Sequence, residues 1–152
     1  IRGGEWHSTV PESVVAEGRL GVFPGESVSN ARMAFSEHLK EVSASDSWLK
    51  ENPPILEWFE GQFESGKTDV DHAIINNLEM AYKEVNNSSA KIEGVTYGSD
   101  LRLFTNHADI PSVLFGPGDV RLAHSANEYV KIEEVLTCIK IISNLIINWC
   151  EE

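Results

Sequence analysis

The chain has 152 residues, and 24 acidic against 12 basic side chains give it a formal charge of −12 at pH 7. That balance excludes a general nucleic-acid binder, whose phosphate contacts require clustered Lys and Arg, and a basic membrane-surface segment. With 41% apolar and 24% charged residues the sequence is globular and not disordered, long enough for one compact domain or two small ones.

After Ile1-Arg2-Gly3-Gly4 and a turn near Val10-Pro11-Glu12, the stretch from Ser13 to Val22 alternates. Val14, Ala16, Gly18, Leu20 and Val22 share one face and Glu17 and Arg19 the other, which predicts a half-buried antiparallel strand. Pro24-Gly25 stops it. Val28, Ala31, Phe35, Leu39 and Val42 fall at helical spacing, so a helix with one apolar stripe is predicted from Ser27 to Val42. Asn52-Pro53-Pro54 breaks the chain, and Ile55 to Phe63 is apolar and aromatic in the manner of a strand. A helix with one apolar stripe needs a sheet to cover, so this first part reads as an α+β layer.

A turn-rich stretch, Glu64 to Asp71, separates it from a second pattern. Ile75, Leu78, Tyr82 and Val85 mark a helix that ends at Asn86-Asn87-Ser88-Ser89. A short strand is expected within Lys91 to Tyr97, a helical turn at Leu101 to Phe104, and a buried strand at Pro111 to Phe115 that runs into Gly116-Pro117-Gly118. Ile132, Val135, Leu136, Ile139, Ile142, Ile146 and Trp149 make the stripe of a long amphipathic helix, with Glu133 and Glu134 in the first turn, where the helix dipole favours acids. Helix, strand, helix, strand, helix is the α/β pattern, in which ligands gather where strand C-termini meet loops. Lys140, Ser143, Asn144 and Asn148 interrupt the longest apolar run, which is too short and too polar to span a membrane. Cys138 and Cys150 share the last helix about 18 Å apart, out of disulfide reach, and are expected to be buried, reduced thiols in the cytoplasm. The absence of a signal peptide and a first residue other than Met lead to the expectation that sequence upstream of Ile1 has been removed or left out.

The densest polar constellation is Phe115 to Val130, with Asp119, Arg121, His124, Asn127 and Glu128. Glycines flanking Pro117 let backbone amides approach an anion or carboxylate, and the same residues also suit an ordinary strand-to-helix connection. His124 has no HxH, HxxxH or CxxC companion, and His7, His38, His72 and His107 are scattered, as surface or capping histidines are. Arg102 follows Asp100 beside a glycine turn, an arrangement that suits either a structural ion pair or a carboxylate clamp. No nucleophilic triad, Walker loop or dinucleotide fingerprint is present.

Three stretches, Gly98-Ser99-Asp100-Leu101-Arg102, Ile110-Pro111-Ser112-Val113-Leu114-Phe115-Gly116-Pro117-Gly118 and Ala123-His124-Ser125-Ala126-Asn127-Glu128-Tyr129-Val130, occur in this order before the last helix. Together they resemble the C-terminal signature of the acetylornithine deacetylase and succinyl-diaminopimelate desuccinylase family of zinc-dependent aminoacylases and exopeptidases. The opening is similar too: Gly3-Gly4, three residues, then Ser8-Thr9-Val10-Pro11-Glu12, with Ser8 where the family usually has Asn. The likeness covers nearly the whole chain and is weakest between Ser43 and Pro54.

The resemblance implies an α/β catalytic domain built round two metal ions, interrupted by a ferredoxin-like lid that dimerises. Residues 1–66 then correspond to the latter part of the lid and residues 67–152 to the closing segment of the catalytic domain. It implies that His124 binds one of two zincs, that Arg102 meets the substrate carboxylate, and that Gly116, Pro117 and Gly118 line the pocket. The other metal ligands, the Glu base and a lid His lie upstream of Ile1 in such enzymes, so no catalytic residue is assigned within this chain. The implied reaction is attack of metal-activated water on the amide of an N-acyl amino acid or small peptide, with cobalt or manganese as alternative metals. A homodimer through the lid is implied, with neither nucleic acid nor membrane as partner. The chain alone is expected to be inactive, and a truncated lid should leave a sheet edge and an apolar face open to self-association. The alternatives are a non-catalytic dimerisation or binding module derived from this scaffold and an unrelated anion-binding domain.

Overall fold

The computed structural model describes residues 1–59, 61 and 63–150. Strands β1 (Arg2–Gly3) and β2 (Val14–Val15) pair antiparallel, with Arg2 opposite Val15 and Gly3 opposite Val14. Among the described residues three α-helices follow: α1 (Val28–Ser45), α2 (Ala73–Asn86) and α3 (Ile132–Cys150).

Each helix begins or ends for a local reason. Ser27 caps α1 by accepting the Asn30 N–H at 3.1 Å, and Asp46 beyond its end accepts from Trp48 and Leu49 to close the next turn. His72 caps α2 through Nδ1, which accepts the Ile74 N–H at 3.2 Å. That helix stops at Asn87, whose left-handed backbone sends its N–H to the Lys83 carbonyl. All three helices lie where the periodicity puts them, and Cys138 and Cys150 are free thiols on one helix; Cys138 is buried as expected, whereas Cys150, at the last position of the helix, is exposed.

The strands do not follow the sequence. Of Ser13 to Val22, only Val14–Val15 pairs. Lys91 to Tyr97, Pro111 to Phe115 and the described part of Ile55 to Phe63 form no ladder; Glu60 and Gln62 lie outside the described residues. A strand exists only by hydrogen bonding to a neighbour, and apolar alternation supplies no neighbour. The α+β layer expected for the first part is therefore reduced to a two-stranded ribbon, and no sheet lies beneath α1 among the described residues. Instead α1 leans on the segment after Pro53-Pro54: Phe35 meets Trp58 edge-on at 5.9 Å, and the Arg32 guanidinium sits 5.1 Å from the same ring.

The best-packed unit is the α2–α3 pair. Ile75 and Ala81 of α2 and Cys138 and Ile141 of α3 are buried, and Asn144 donates to Glu84 across the pair at 3.2 Å. The face of α3 that packs is not the stripe expected from the sequence. Leu136, Ile139 and Ile146 remain 53%, 54% and 56% exposed, while the neighbouring face with the smaller Cys138 meets α2. Apolar periodicity marks both faces of this helix, and α2 covers one. The accessible surface is 12687 Å², whereas a compact monomer of this mass would expose about 7,700 Å². Much of the apolar surface has no cover within the described residues.

Candidate functional site

The stretch from Phe63 to Thr68 lies against the stretch from Gly98 to Ser112 through a set of specific contacts. The Thr68 hydroxyl donates to the Ser112 carbonyl at 2.6 Å and accepts the Ser112 N–H at 2.9 Å. One side chain thereby takes the place of a peptide group in a ladder. Asn106 donates to the Ser65 carbonyl at 3.0 Å, and His107 Nε2 meets Glu64 Oε2 at 2.8 Å. The hydrogen bond from His107, followed by that from Asn106, holds the Glu64 carboxyl below its ordinary range.

Arg102 sits in the middle of this contact, half-buried. Its guanidinium carbon lies 5.0 Å from the centroid of Phe63, and its Nε is buried with no hydrogen-bond partner among the described residues. The ion pair with Asp100 that the sequence allowed is not formed; no carboxylate among the described residues lies within ion-pair distance of Arg102. Two glycines make the arrangement possible through space, since neither has a positive φ. A Cβ on Gly66 would lie 2.5 Å from Leu101 Cδ2 and 2.9 Å from Arg102 Cα, and one on Gly98 would lie 2.7 Å from the Phe63 ring. A π-helical turn, Leu103–His107, follows Arg102 directly.

The second group lies on the loop before α3. Gly116, Pro117 and Gly118 are exposed, and Gly118 takes a φ of 95° and donates its N–H to Glu134 in the first turn of α3 at 3.2 Å. Asp119 caps the short turn Val120–Leu122 and binds Arg121 through both carboxylate oxygens. The Arg121 side chain pushes the Asp119 carboxyl down to about 2. His124 follows with a left-handed φ of 61°, a conformation that costs a non-glycine residue strain, and its N–H donates to Glu128 at 3.1 Å. Its imidazole is exposed, and neither ring nitrogen has a partner among the described residues.

The structure thus gathers Gly116, Pro117, Gly118 and His124 on one loop and places Arg102 on a separate bed. No hydrogen bond, ion pair or ring contact among the described residues joins the two. A metal ion needs several donors, and no group of three His, Cys, Asp or Glu side chains among the described residues could hold one. The His124 ring, exposed and without a partner among the described residues, has the donor chemistry of one metal ligand, and a metal there would need further donors. The groove beneath α1, lined by Leu39, Leu49, Pro53, Leu56 and Trp58 among others, includes none of these residues.

Sequence reading missed Phe63, Gly66 and Gly98, the bed of Arg102. Gly66 was legible only as part of a turn-rich stretch, and Gly98 as a turn residue that opens a signature stretch, because the side chains they make room for lie far along the chain. No helix among the described residues is long and apolar enough to cross a membrane.

The chain is 32% identical to the N-formyl-4-amino-5-aminomethyl-2-methylpyrimidine deformylase of Bacillus subtilis, over 99% of this chain and 37% of that enzyme. It is 27% identical to the deformylase of the same name from Halalkalibacterium halodurans, with the same coverage. An acetylornithine deacetylase of Myxococcus xanthus is 33% identical over 38% of this chain and 15% of its own length. The chain therefore spans little more than a third of the two deformylases. The sequence profile of peptidase family M20/M25/M40 matches residues 10–148, nearly the whole chain, and the protein belongs to that family of hydrolases.

Proposed function

We propose that this chain is the C-terminal part of a metal-dependent amide hydrolase that removes a small acyl group from an amine. The observation that carries the reading is His124, an exposed imidazole whose ring nitrogens have no partner among the described residues, held at a left-handed position beside the Gly116-Pro117-Gly118 loop. The likeness to two deformylases over 99% of the chain supports it.

In this reading His124 is one ligand of a metal centre whose other donors lie outside the chain. Zinc, with cobalt or manganese as alternatives, would supply Lewis-acid activation of water there. The chain's own residues bind and orient. Glu128 and the tight turn hold the His124 backbone, Gly116, Pro117 and Gly118 line the pocket with the two glycines adding no side-chain bulk, and Arg102 presents guanidinium donors to an acceptor on the substrate.

The favoured substrate is a formamide of an aminomethyl heteroaromatic amine, because the deformylase likeness extends along the chain. An N-acyl amino acid or small peptide is the second reading, and Arg102 favours it: a guanidinium with no carboxylate partner among the described residues suits a substrate carboxylate. Residues 1–66 serve as the latter part of a dimerising lid and residues 67–152 as the closing segment of the catalytic domain, in a cytoplasmic homodimer. The isolated chain is inactive.

The test is a side-by-side assay of the full-length zinc-loaded enzyme on N-formyl-4-amino-5-aminomethyl-2-methylpyrimidine and N-acetylornithine. A kcat/KM at least tenfold higher on the formamide supports the favoured reading. The reverse ratio supports the second. Failure to hydrolyse either with zinc, cobalt or manganese overturns both.

A further inference from the structure

Arg102 can recognise a substrate only if its guanidinium is held still, yet its Nε has no hydrogen-bond partner among the described residues and it makes no ion pair there. What it has is a ring. The Phe63 centroid lies 5.0 Å from the guanidinium carbon, in the range where the negative face of an aromatic attracts a cation. The ring reaches that position because Gly98 has no side chain: a Cβ there would meet Phe63 Cγ at 2.7 Å. The backbone of Arg102 is set from the same stretch, since Gly66 admits Leu101 and Arg102 to a distance no other residue allows. Three further ties keep the stretch in place, from Thr68 to Ser112, Asn106 to Ser65 and His107 to Glu64.

We propose that Phe63 is a positioning residue for the Arg102 guanidinium, so that the segment leading out of the N-terminal part of the chain sets the substrate-binding arginine. The proposal rests on the reading of Arg102 given above. Phe63 touches no reacting atom. It restricts where the guanidinium points, and its loss should weaken substrate binding with little change in the chemical step.

The test uses the full-length enzyme and the amide it turns over, with F63L, F63Y, R102A and the double variant F63L/R102A. F63L should raise KM about tenfold with kcat within about twofold, and F63Y, which keeps the ring, should restore KM. In the R102A background F63L should have no further effect on KM. An F63L effect of equal size with and without Arg102 overturns the proposal, as does an unchanged KM in F63L when R102A raises it. An R102A enzyme with unchanged KM overturns the arginine's role itself and the proposal with it. G98A places a Cβ against the ring itself and should reproduce the KM increase if F63L does not fold; an unchanged KM in G98A overturns the proposal. Independently of turnover, the Arg102 Nε–H resonance should shift in F63L, and an unmoved resonance also overturns it.

Discussion

Arg102 rests on a stretch fixed by hydrogen bonds that bridge 41 to 44 residues of chain. The loop carrying His124 is closed by bonds that bridge 2, 4 and 16 residues. A locally closed loop keeps its shape whatever the rest of the chain does, because its partners are never far away. The arginine bed exists only when two distant segments have met. One half of the candidate site therefore answers to local sequence and the other to tertiary structure, and the two should respond differently to substitution.

The largest effect is expected where the loop meets chemistry. H124A in the full-length enzyme should lower kcat by about a thousandfold, as expected when a metal-centre ligand is lost, and leave the melting temperature of the metal-free protein unchanged. A melt lowered by several degrees would show that the loop is not closed locally and break the contrast. On the other side, G66A forces a Cβ to 2.9 Å from the Arg102 backbone and should destabilise the protein by about 1–3 kcal/mol in urea unfolding, with a raised KM. An unaltered urea midpoint would remove the tertiary half of the comparison.

T68V is the sharper variant, since it keeps volume and removes the hydroxyl that both donates to and accepts from Ser112. It should lower stability by about 1–2 kcal/mol, and T68S, which keeps the hydroxyl, should recover most of it. The smallest effect is expected from Asp119. Its folded-state value is depressed from 3.8 to about 2, so its contribution is complete above the unfolded value and fades as pH falls toward 2. Amide chemical shifts at Gly118 and Arg121 should report that change between about pH 4 and 2. D119N should abolish it while the melting temperature at pH 7 stays within error. A D119N protein that melts early at neutral pH would give this loop a global role.

The same contrast explains what was legible in the sequence. α1, α2 and α3 were readable because a helix satisfies its own backbone, and 3.6-residue periodicity is recorded within a single segment. Ser13 to Val22 reads as a strand on the same kind of evidence, yet only Val14–Val15 finds a neighbour. Pro111 to Phe115 has the composition of a buried strand, but among the described residues its backbone is tied to the stretch before α2 by two hydrogen bonds, both to the Thr68 side chain. In α3 the eye follows Leu136, Ile139 and Ile146, whereas packing chose Cys138 and Ile141, because two apolar faces look alike until a partner selects one. The Gly-Pro-Gly loop and His124 were visible as a motif. Phe63 and Gly98, separated by 35 positions, carry no pattern that links them.

The two thiols of α3 differ in a way that can be used. Cys150 is exposed, and Cys138 is buried on the helix that packs against α2. A maleimide should therefore attach to Cys150 at the rate of a free thiol and to Cys138 only when the helix pair opens, so that the delay between the first and second mass increment clocks that opening. The chain carries its own stopwatch for the most cohesive part of its structure.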